Sequence, residues 1–302
     1  MILASTLLGN SQRLDGGAMF GNAPRALWSR WLTPDEHNRI TFACRALLVE
    51  QQGCRTLFET GIGAFFEPEL KERYGVVEPG HVLLDSLARL GLGHGDVDRI
   101  VLSHLHFDHA GGLLAPYRSG RPIELAFQRA EIVVGRAAFE RAERPHARDR
   151  ASFIPGLTDL LRASGRLRLV DGVTQASALL GPHFSFLETN GHTPGMLHAT
   201  VHGESANLLF CADLVPGRAW VHLPITMGYD RHAERLVDEK TELMAHAVAQ
   251  ETMLVFTHDL EVAASRVVVG NGNRYQPSEA VGDFSRWNLD VDRLPVTIDE
   301  AS

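Results

Sequence analysis

The segment Arg99-Ile-Val-Leu-Ser-His104-Leu-His106-Phe-Asp108-His109-Ala-Gly-Gly112 changes character half-way along. Its first part is apolar and β-branched, which predicts a buried strand over residues 98–103. Its second part places three imidazoles and a carboxylate within the six residues His104 to His109. In an extended or turning stretch, side chains alternate with period two. His104 and His106 therefore point the same way and can hold one ion. Asp108 and His109 follow after the chain begins to turn, and they can face a second ion. Neutral imidazole and carboxylate suit zinc, iron, manganese or cobalt. Ala110-Gly111-Gly112 lets the backbone pack tightly just beyond. Without a metal, this crowding would leave costly polar groups to satisfy.

Outward from this segment, the same arrangement recurs. Residues 1–8 read as a first strand. Residues 41–50 and 54–60 read as strands flanking a hairpin turn at Gln51-Gln52-Gly53. Helical spacing covers 69–74 and 81–90, the latter closed by Gly91. Strands are expected at 131–134, 166–170, 183–188, 197–202, 207–212 and 252–257. Helices are expected at 136–142, 157–163 and 233–250. The tail from Gly270 opens Gly/Asn-rich and is expected to wrap the surface. No Pro-, Gly- or Ser-rich linker divides the chain, which predicts one domain over residues 1–302, with two packed sheets and helices outside. Three later runs also end on ligand-type residues. His192 lies in Gly191-His-Thr-Pro-Gly195 after an apolar strand, Asp213 follows Leu208 to Ala212, and His258 follows Met253 to Thr257. Strand ends gathered at one sheet edge are where sites are usually built.

Composition narrows the function classes. The chain has 302 residues, 44% of them hydrophobic, enough for a large core. Its formal charge is −8, from 29 basic and 37 acidic residues. With no long Lys/Arg run, it is a poor match for nucleic acid or an anionic membrane. The densest charged stretch, residues 141–150, carries both signs and reads as a solvated loop or helix end. Cys44, Cys54 and Cys211 form no C-x-x-C motif and read as free thiols, which fits a cytoplasmic location. The start lacks a basic segment and a small-residue cleavage site, so no signal peptide is expected. No run of about 18 apolar residues predicts a membrane span. Nor is there a G-x-S-x-G motif that would supply a serine nucleophile.

Taken together, His104-x-His106-x-Asp108-His109, Gly191-His192-Thr-Pro-Gly195, Asp213 and His258 resemble the metallo-β-lactamase superfamily over most of the chain. The resemblance implies a four-layer αββα sandwich, an α+β fold with its site at one edge of the two sheets. It also implies that His104, His106 and His192 hold one metal, that Asp108, His109 and His258 hold the other, and that Asp213 bridges. Leu14-Asp15-Gly-Gly-Ala-Met-Phe20, Trp28 and His222-Leu-Pro-Ile-Thr-Met-Gly-Tyr-Asp230 look most like the branch of N-acyl-homoserine lactonases and methyl-parathion hydrolases. Three positions depart from the family pattern. Glu59-Thr60-Gly61 stands where Asp-Thr-Gly is usual, Met196 where many relatives have His, and Pro216 where some lactonases carry a pocket Tyr.

The implied activity is hydrolysis of a small ester-like molecule by a metal-bridging hydroxide, with a lactone as the first choice of substrate and quorum quenching as its biological setting. A phosphotriesterase or aryl esterase of the same fold and an iron-dependent sulfur dioxygenase are the alternatives. Paired ions lower the pKa of bound water from about 15.7 to roughly 7 and polarise the substrate oxygen. The cofactors expected are two divalent ions, zinc first. Asp108 and Asp213 are the expected catalytic carboxylates, with Asp108 passing a proton to the leaving group. Met19, Phe20, His198 and His222 are candidate pocket residues, and Tyr229 is a candidate hydroxyl. Gly16-Gly17 suggests a flexible loop suited to a lid. The remaining histidines of the 15, His81 among them, read as surface or packing residues. Leu7, Leu8, Phe65 and Phe66 read as exposed apolar residues that a homodimer would use.

Overall fold

The computed structural model describes residues 1–296. The chain opens with β1 (Ile2–Leu8), β2 (Gln12–Asp15), α1 (Gly16–Phe20), α2 (Arg25–Trp28) and β3 (Arg39–Phe42). It continues through β4 (Arg45–Gln51), β5 (Cys54–Phe58), α3 (Pro68–Arg73), α4 (Val82–Arg89), β6 (Arg99–Leu102) and α5 (Phe107–Ala110). Then come β7 (Glu131–Gly135), α6 (Arg136–Glu143), α7 (Leu157–Ala163), β8 (Leu167–Val170), α8 (Gly172–Leu180), β9 (Phe184–Thr189) and β10 (Met196–His202). The last elements are β11 (Asn207–Phe210), α9 (Ala233–Ala249), β12 (Met253–Val255), β13 (Ala264–Gly270), β14 (Arg274–Val281) and β15 (Trp287–Asn288).

Two large sheets result. One runs β15-β1-β4-β5-β6-β7-β8 and the other β14-β13-β12-β11-β10-β9. Period-two alternation shows how they stack. In the first sheet, Leu47, Val49, Phe58, Val101 and Val133 face the second sheet. Their neighbours Ala46, Leu48, Leu57, Ile100, Leu102, Ile132 and Val134 face outward, onto Leu83 and Leu87 of α4, Phe139 of α6 and Leu161 of α7. On the far side, α9 lays Leu236, Leu243, Met244 and Ala247 against the second sheet. These layers form the expected αββα sandwich. Strands β5 to β8 are parallel, and so are β11 and β12, so the carboxyl ends within each set share an edge. At that edge the Leu197 amide donates to the Ser103 carbonyl (3.0 Å), joining the start of β10 to the end of β6.

Several expectations need correction. The run 41–50 is two strands in different sheets: β3 pairs with β2, whereas β4 begins at Arg45 and pairs with β1. The tail does more than wrap the surface. β13 and β14 extend the second sheet as a hairpin, and β15 pairs with β1 in the first. Strand β14 escaped notice because Arg-Tyr-Gln-Pro-Ser-Glu is largely polar; it is an edge strand, where Pro277 is tolerated. Gly16-Gly17 is not a loose loop but the start of α1, whose first turn Asp15 caps through the Ala18 amide (2.9 Å). Leu7 and Phe65 are buried in the core, and Leu8 and Phe66 are half-buried, so these four make no exposed face. The charged stretch 141–150 is only partly solvated. Asp149 is buried and accepts from Arg141 (2.7 Å), and Arg148 reaches the Gly228 carbonyl (3.2 Å). Among the described residues, no helix is long and apolar enough to cross a membrane.

The metal-motif segment docks by close backbone approach. The Thr60 amide and hydroxyl both donate to the His109 carbonyl (3.0 and 2.8 Å), and the Gly112 amide donates to the Gly61 carbonyl (2.8 Å). A Cβ on Gly112 would overlap the Thr60 carbonyl oxygen, and one on Gly111 would overlap that of Ile62. Gly112→Ala is therefore expected to lower folding stability by about 1–3 kcal/mol, the usual cost of overpacking. Chemical denaturation checks this, and an unchanged midpoint and slope would contradict it.

Candidate metal centre

The seven ligand-type residues singled out from the sequence come together at one edge of the sandwich. His104 and His106 follow β6 in extended backbone, and the single turn of α5 carries Asp108 and His109. His192 follows β9, Asp213 follows β11 and His258 follows β12. His104, His106, His192 and Asp213 form one group, and Asp108, His109, Asp213 and His258 a second. Within each group, the ligand atoms lie within 4.8 Å of one another. Asp213 belongs to both. Its Oδ2 is 3.1 Å from His192 Nε2, while Oδ1 is 3.2 Å from His109 Nε2 and 3.1 Å from His258 Nε2. Asp108 Oδ2 lies 3.6 Å from His258 Nε2 and 3.7 Å from His109 Nε2.

These residues fit a pair of cations on the structure's own terms. His104 Nε2, His109 Nε2 and Asp213 Oδ1 are buried without a hydrogen-bond partner, and His106 faces the same space through Nδ1, 3.2 Å from His192 Nε2. Each such atom costs about 1–3 kcal/mol when nothing satisfies it. Several orphans converging on one space, with imidazole and carboxylate donors, are what divalent transition-metal ions satisfy.

Hydrogen bonds hold the outward-facing nitrogens of His104, His192 and His258, which orients those rings. His192 Nδ1 donates to Asp230 Oδ1 (2.8 Å), and Asp230 Oδ2 accepts from the Met227 amide (2.6 Å). His258 Nδ1 donates to the Ala43 carbonyl (2.7 Å), and His104 Nδ1 meets the Ser103 hydroxyl (2.8 Å). His109 Nδ1 faces Glu59 Oε2 at 3.4 Å, while Glu59 Oε1 accepts from the Ser103 amide (2.7 Å). Glu59, one of the departures from the family pattern, thus still places a buried carboxylate beside the centre.

Electrostatics divide the histidines. Burial, reinforced by neighbouring imidazoles, pushes His104 and His106 well below the usual histidine range. Burial pulls His109 and His192 down too, but Asp213 outweighs it, aided by Asp108 and Glu59 at His109 and by Asp230 at His192, and both are raised. Burial would raise Asp213; His109, His192 and His258 instead hold it well below the usual carboxylate range. Cation binding requires every ligand imidazole to be neutral, so a bound cation takes the place of the ring proton that Asp213 favours at His109 and His192.

Over the centre lies a cavity of about 260 Å³. Leu14, Met19, Phe107 and Met227 give it apolar walls, and Arg73, Tyr74, Ser152 and Tyr229 give it polar ones. Met19 and Tyr229 both line this cavity. Phe20 is not a wall residue: it is buried between Trp28 and Trp220, its ring stacked at 5.5 and 4.6 Å. His198 is not a wall residue either. It donates from Nδ1 to the Cys211 carbonyl (3.0 Å) and accepts at Nε2 from the Thr189 hydroxyl (2.8 Å). His222 borders a separate cleft beside Trp31. Sequence reading missed Arg73, Tyr74, Ser152 and Asp230. Of these, Asp230 was within reach: it closes the His222–Asp230 stretch already singled out.

A family model described as the metallo-beta-lactamase superfamily matches residues 39–258. The chain belongs to that superfamily. An N-acyl homoserine lactonase of Bacillus sp is 27% identical over 182 residues, covering 59% of this chain and 62% of the relative. One of Bacillus cereus is 26% identical over 178 residues, covering 58% and 61%. The chain thus spans somewhat under two thirds of the length of these relatives. Among solved structures, a probable metal-dependent hydrolase from Staphylococcus aureus superposes with a TM-score of 0.80 at 24% identity, over 92% of this chain and 97% of that one. The dizinc quorum-quenching lactonase AidC superposes with a TM-score of 0.71 at 19% identity, over 91% and 93%. At these identities the superpositions establish the superfamily's fold.

Two outcomes follow for this edge of the molecule. Asp230→Asn should weaken cation retention about 10–100-fold, because it removes the carboxylate that orients His192. Chelator competition measures this, and retention equal to the parent would contradict the role given to Asp230. Burial pushes His198 down to about 4, against 6.5 for an ordinary histidine. Between those values the unfolded chain binds the extra proton, so His198's contribution is fully present above pH 6.5 and is lost as pH falls towards 4. The full loss is on the order of 3 kcal/mol. His198→Gln should flatten stability against pH in that window, and denaturation curves as steep as the parent's would refute it.

Proposed function

We propose that this chain is a dinuclear metal-dependent hydrolase whose substrate is a small lactone, with N-acyl homoserine lactones as the first choice. The observation that carries the reading is the shared Asp213 carboxylate, one oxygen in each of two ligand groups. His104, His106 and His192 would hold one ion, Asp108, His109 and His258 the other, and Asp213 both; zinc matches this donor set best. When bound, such ions supply a nucleophile from water at neutral pH and Lewis-acid polarisation of the substrate carbonyl.

The chain's own residues supply the rest. Asp108 belongs to the second ligand group and also lines the cavity, with its carboxylate mostly buried. It takes the proton that the attacking water loses and returns it to the ring oxygen as the carbon–oxygen bond breaks, so that a lactone leaves as a hydroxy acid. Burial, together with the Asp108 charge, pushes Tyr229 up to about 12, so its hydroxyl keeps its proton and donates to an ester oxygen. This places a donor in the cavity although Pro216 occupies the position where some lactonases carry a Tyr. Leu14, Met19, Phe107 and Met227 give an acyl chain an apolar surface, and methionine adapts to irregular shapes. The Bacillus relatives named as N-acyl homoserine lactonases, and AidC, solved with the product N-hexanoyl-L-homoserine, support the choice of lactone.

Purified protein of measured metal content should hydrolyse N-acyl homoserine lactones faster than phosphotriesters, aryl acetates or glutathione thioesters. Chelator should abolish turnover and added zinc should restore it. Asp108→Asn should lower kcat about 10²–10⁴-fold. Full turnover in rigorously metal-free protein would end the metal reading, and preference for a phosphotriester would end the lactone reading alone.

A further inference from the structure

We propose that Arg45 positions His258, so that the C-terminal segment around Asp283 governs the second of the two ligand groups. This inference rests on the two-cation reading above.

Residues 42–45 grip one side of the turn that carries His258, while on the other the His258 amide donates to the Pro216 carbonyl (2.8 Å) and Arg218 pairs with the Asp259 carboxylate (2.8 Å). The Phe42 ring meets the His258 imidazole edge-on at 4.9 Å. The Ala43 carbonyl accepts from His258 Nδ1 (2.7 Å), and the Arg45 amide donates to the Thr257 carbonyl (2.9 Å). The Arg45 guanidinium is fully buried, and its Nη1 donates to the carbonyls of both Phe256 (2.9 Å) and Asp259 (2.8 Å). One planar cation therefore spans the turn on either side of the ligand, binding the residue two before it and the residue one after. Its Nε donates to Asp283 Oδ1 (2.8 Å), and Nη2 lies 3.5 Å from Oδ2.

A buried guanidinium needs its charge compensated and its donors used. Asp283 supplies the charge, and the two turn carbonyls use the donors facing inward. Lysine keeps the charge but has no planar fork, so it cannot bridge Phe256, Asp259 and Asp283 together. Asp283 belongs to the segment between β14 and β15, which also buries Phe284 and pairs it with Thr6: the Thr6 amide donates to the Phe284 carbonyl (3.0 Å) and the Phe284 amide donates to the Thr6 hydroxyl (3.0 Å). The segment between β14 and β15 is thereby linked through one side chain to the turn that carries His258.

The consequence is selective. His258 belongs to the group with Asp108, His109 and Asp213, and not to the group with His104, His106 and His192. Loosening Arg45 should therefore release one ion and leave the other. The test is metal stoichiometry by mass spectrometry after dialysis against a graded zinc chelator, for wild type, Arg45→Met, Arg45→Lys and Asp283→Asn, with circular dichroism melts alongside. Wild type should retain two ions, and a wild-type stoichiometry below two would overturn the two-cation reading itself. Arg45→Met should retain one ion where wild type retains two, with about 10–100-fold weaker retention of the second. Arg45→Lys and Asp283→Asn should fall between. Should Arg45→Met fail to fold, these two decide the matter. Variants that fold and retain both ions as wild type does, or that lose both together, would overturn the role of Arg45.

Discussion

The carboxylate of Asp213 is where the two halves of the sandwich meet. His109 reaches it from the end of β6 in the first sheet, and His192 and His258 reach it from the ends of β9 and β12 in the second. A buried carboxylate among imidazoles can persist only if its charge is compensated. The rest of the edge is arranged around that requirement. Parallel strands deliver ligands to a common side, paired glycines bring the His109 turn against Thr60, and the Leu197–Ser103 bond holds the sheets together there.

Around this centre, the supporting groups come from distant parts of the chain. Asp230, Ser103 and Ala43 each hold the outer side of one imidazole, and the Glu59 carboxylate faces that of His109. Asp230 also caps the Met227 amide, in the same segment that turns Met227 and Tyr229 into the cavity. The segment docks on the ligand loop as well, through Arg231 to the His192 carbonyl (3.2 Å) and His232 to that of Gly191 (2.8 Å). One part of the cavity wall and the orientation of His192 thus depend on a single piece of backbone. Changes to the substrate wall at 227–229 are coupled to the metal group containing His192.

How legible this was depended on the range of the interactions. The residues that cluster at the edge were readable because each combines two local signals, an apolar strand and a ligand-type residue just past its end, as at Phe256-Thr257-His258. The sandwich was readable from the order of such strands. Long-range partners leave no local pattern. Nothing near Arg45 in sequence marks it as a contact of residues 256, 259 and 283. Strand β14 was missed because a polar edge strand with a proline resembles a loop. Phe20 and His198 were misplaced because an aromatic or a histidine near a motif looks alike whether it faces a cavity or the core; here tryptophan stacking and paired hydrogen bonds turn both inward.

The most direct test of the two-cation centre is anomalous X-ray diffraction from crystals of the zinc-loaded protein, collected either side of the zinc absorption edge. Two peaks flanking the Asp213 carboxylate are predicted, one among His104, His106 and His192 and the other among Asp108, His109 and His258. A single peak, or peaks remote from Asp213, would contradict the account.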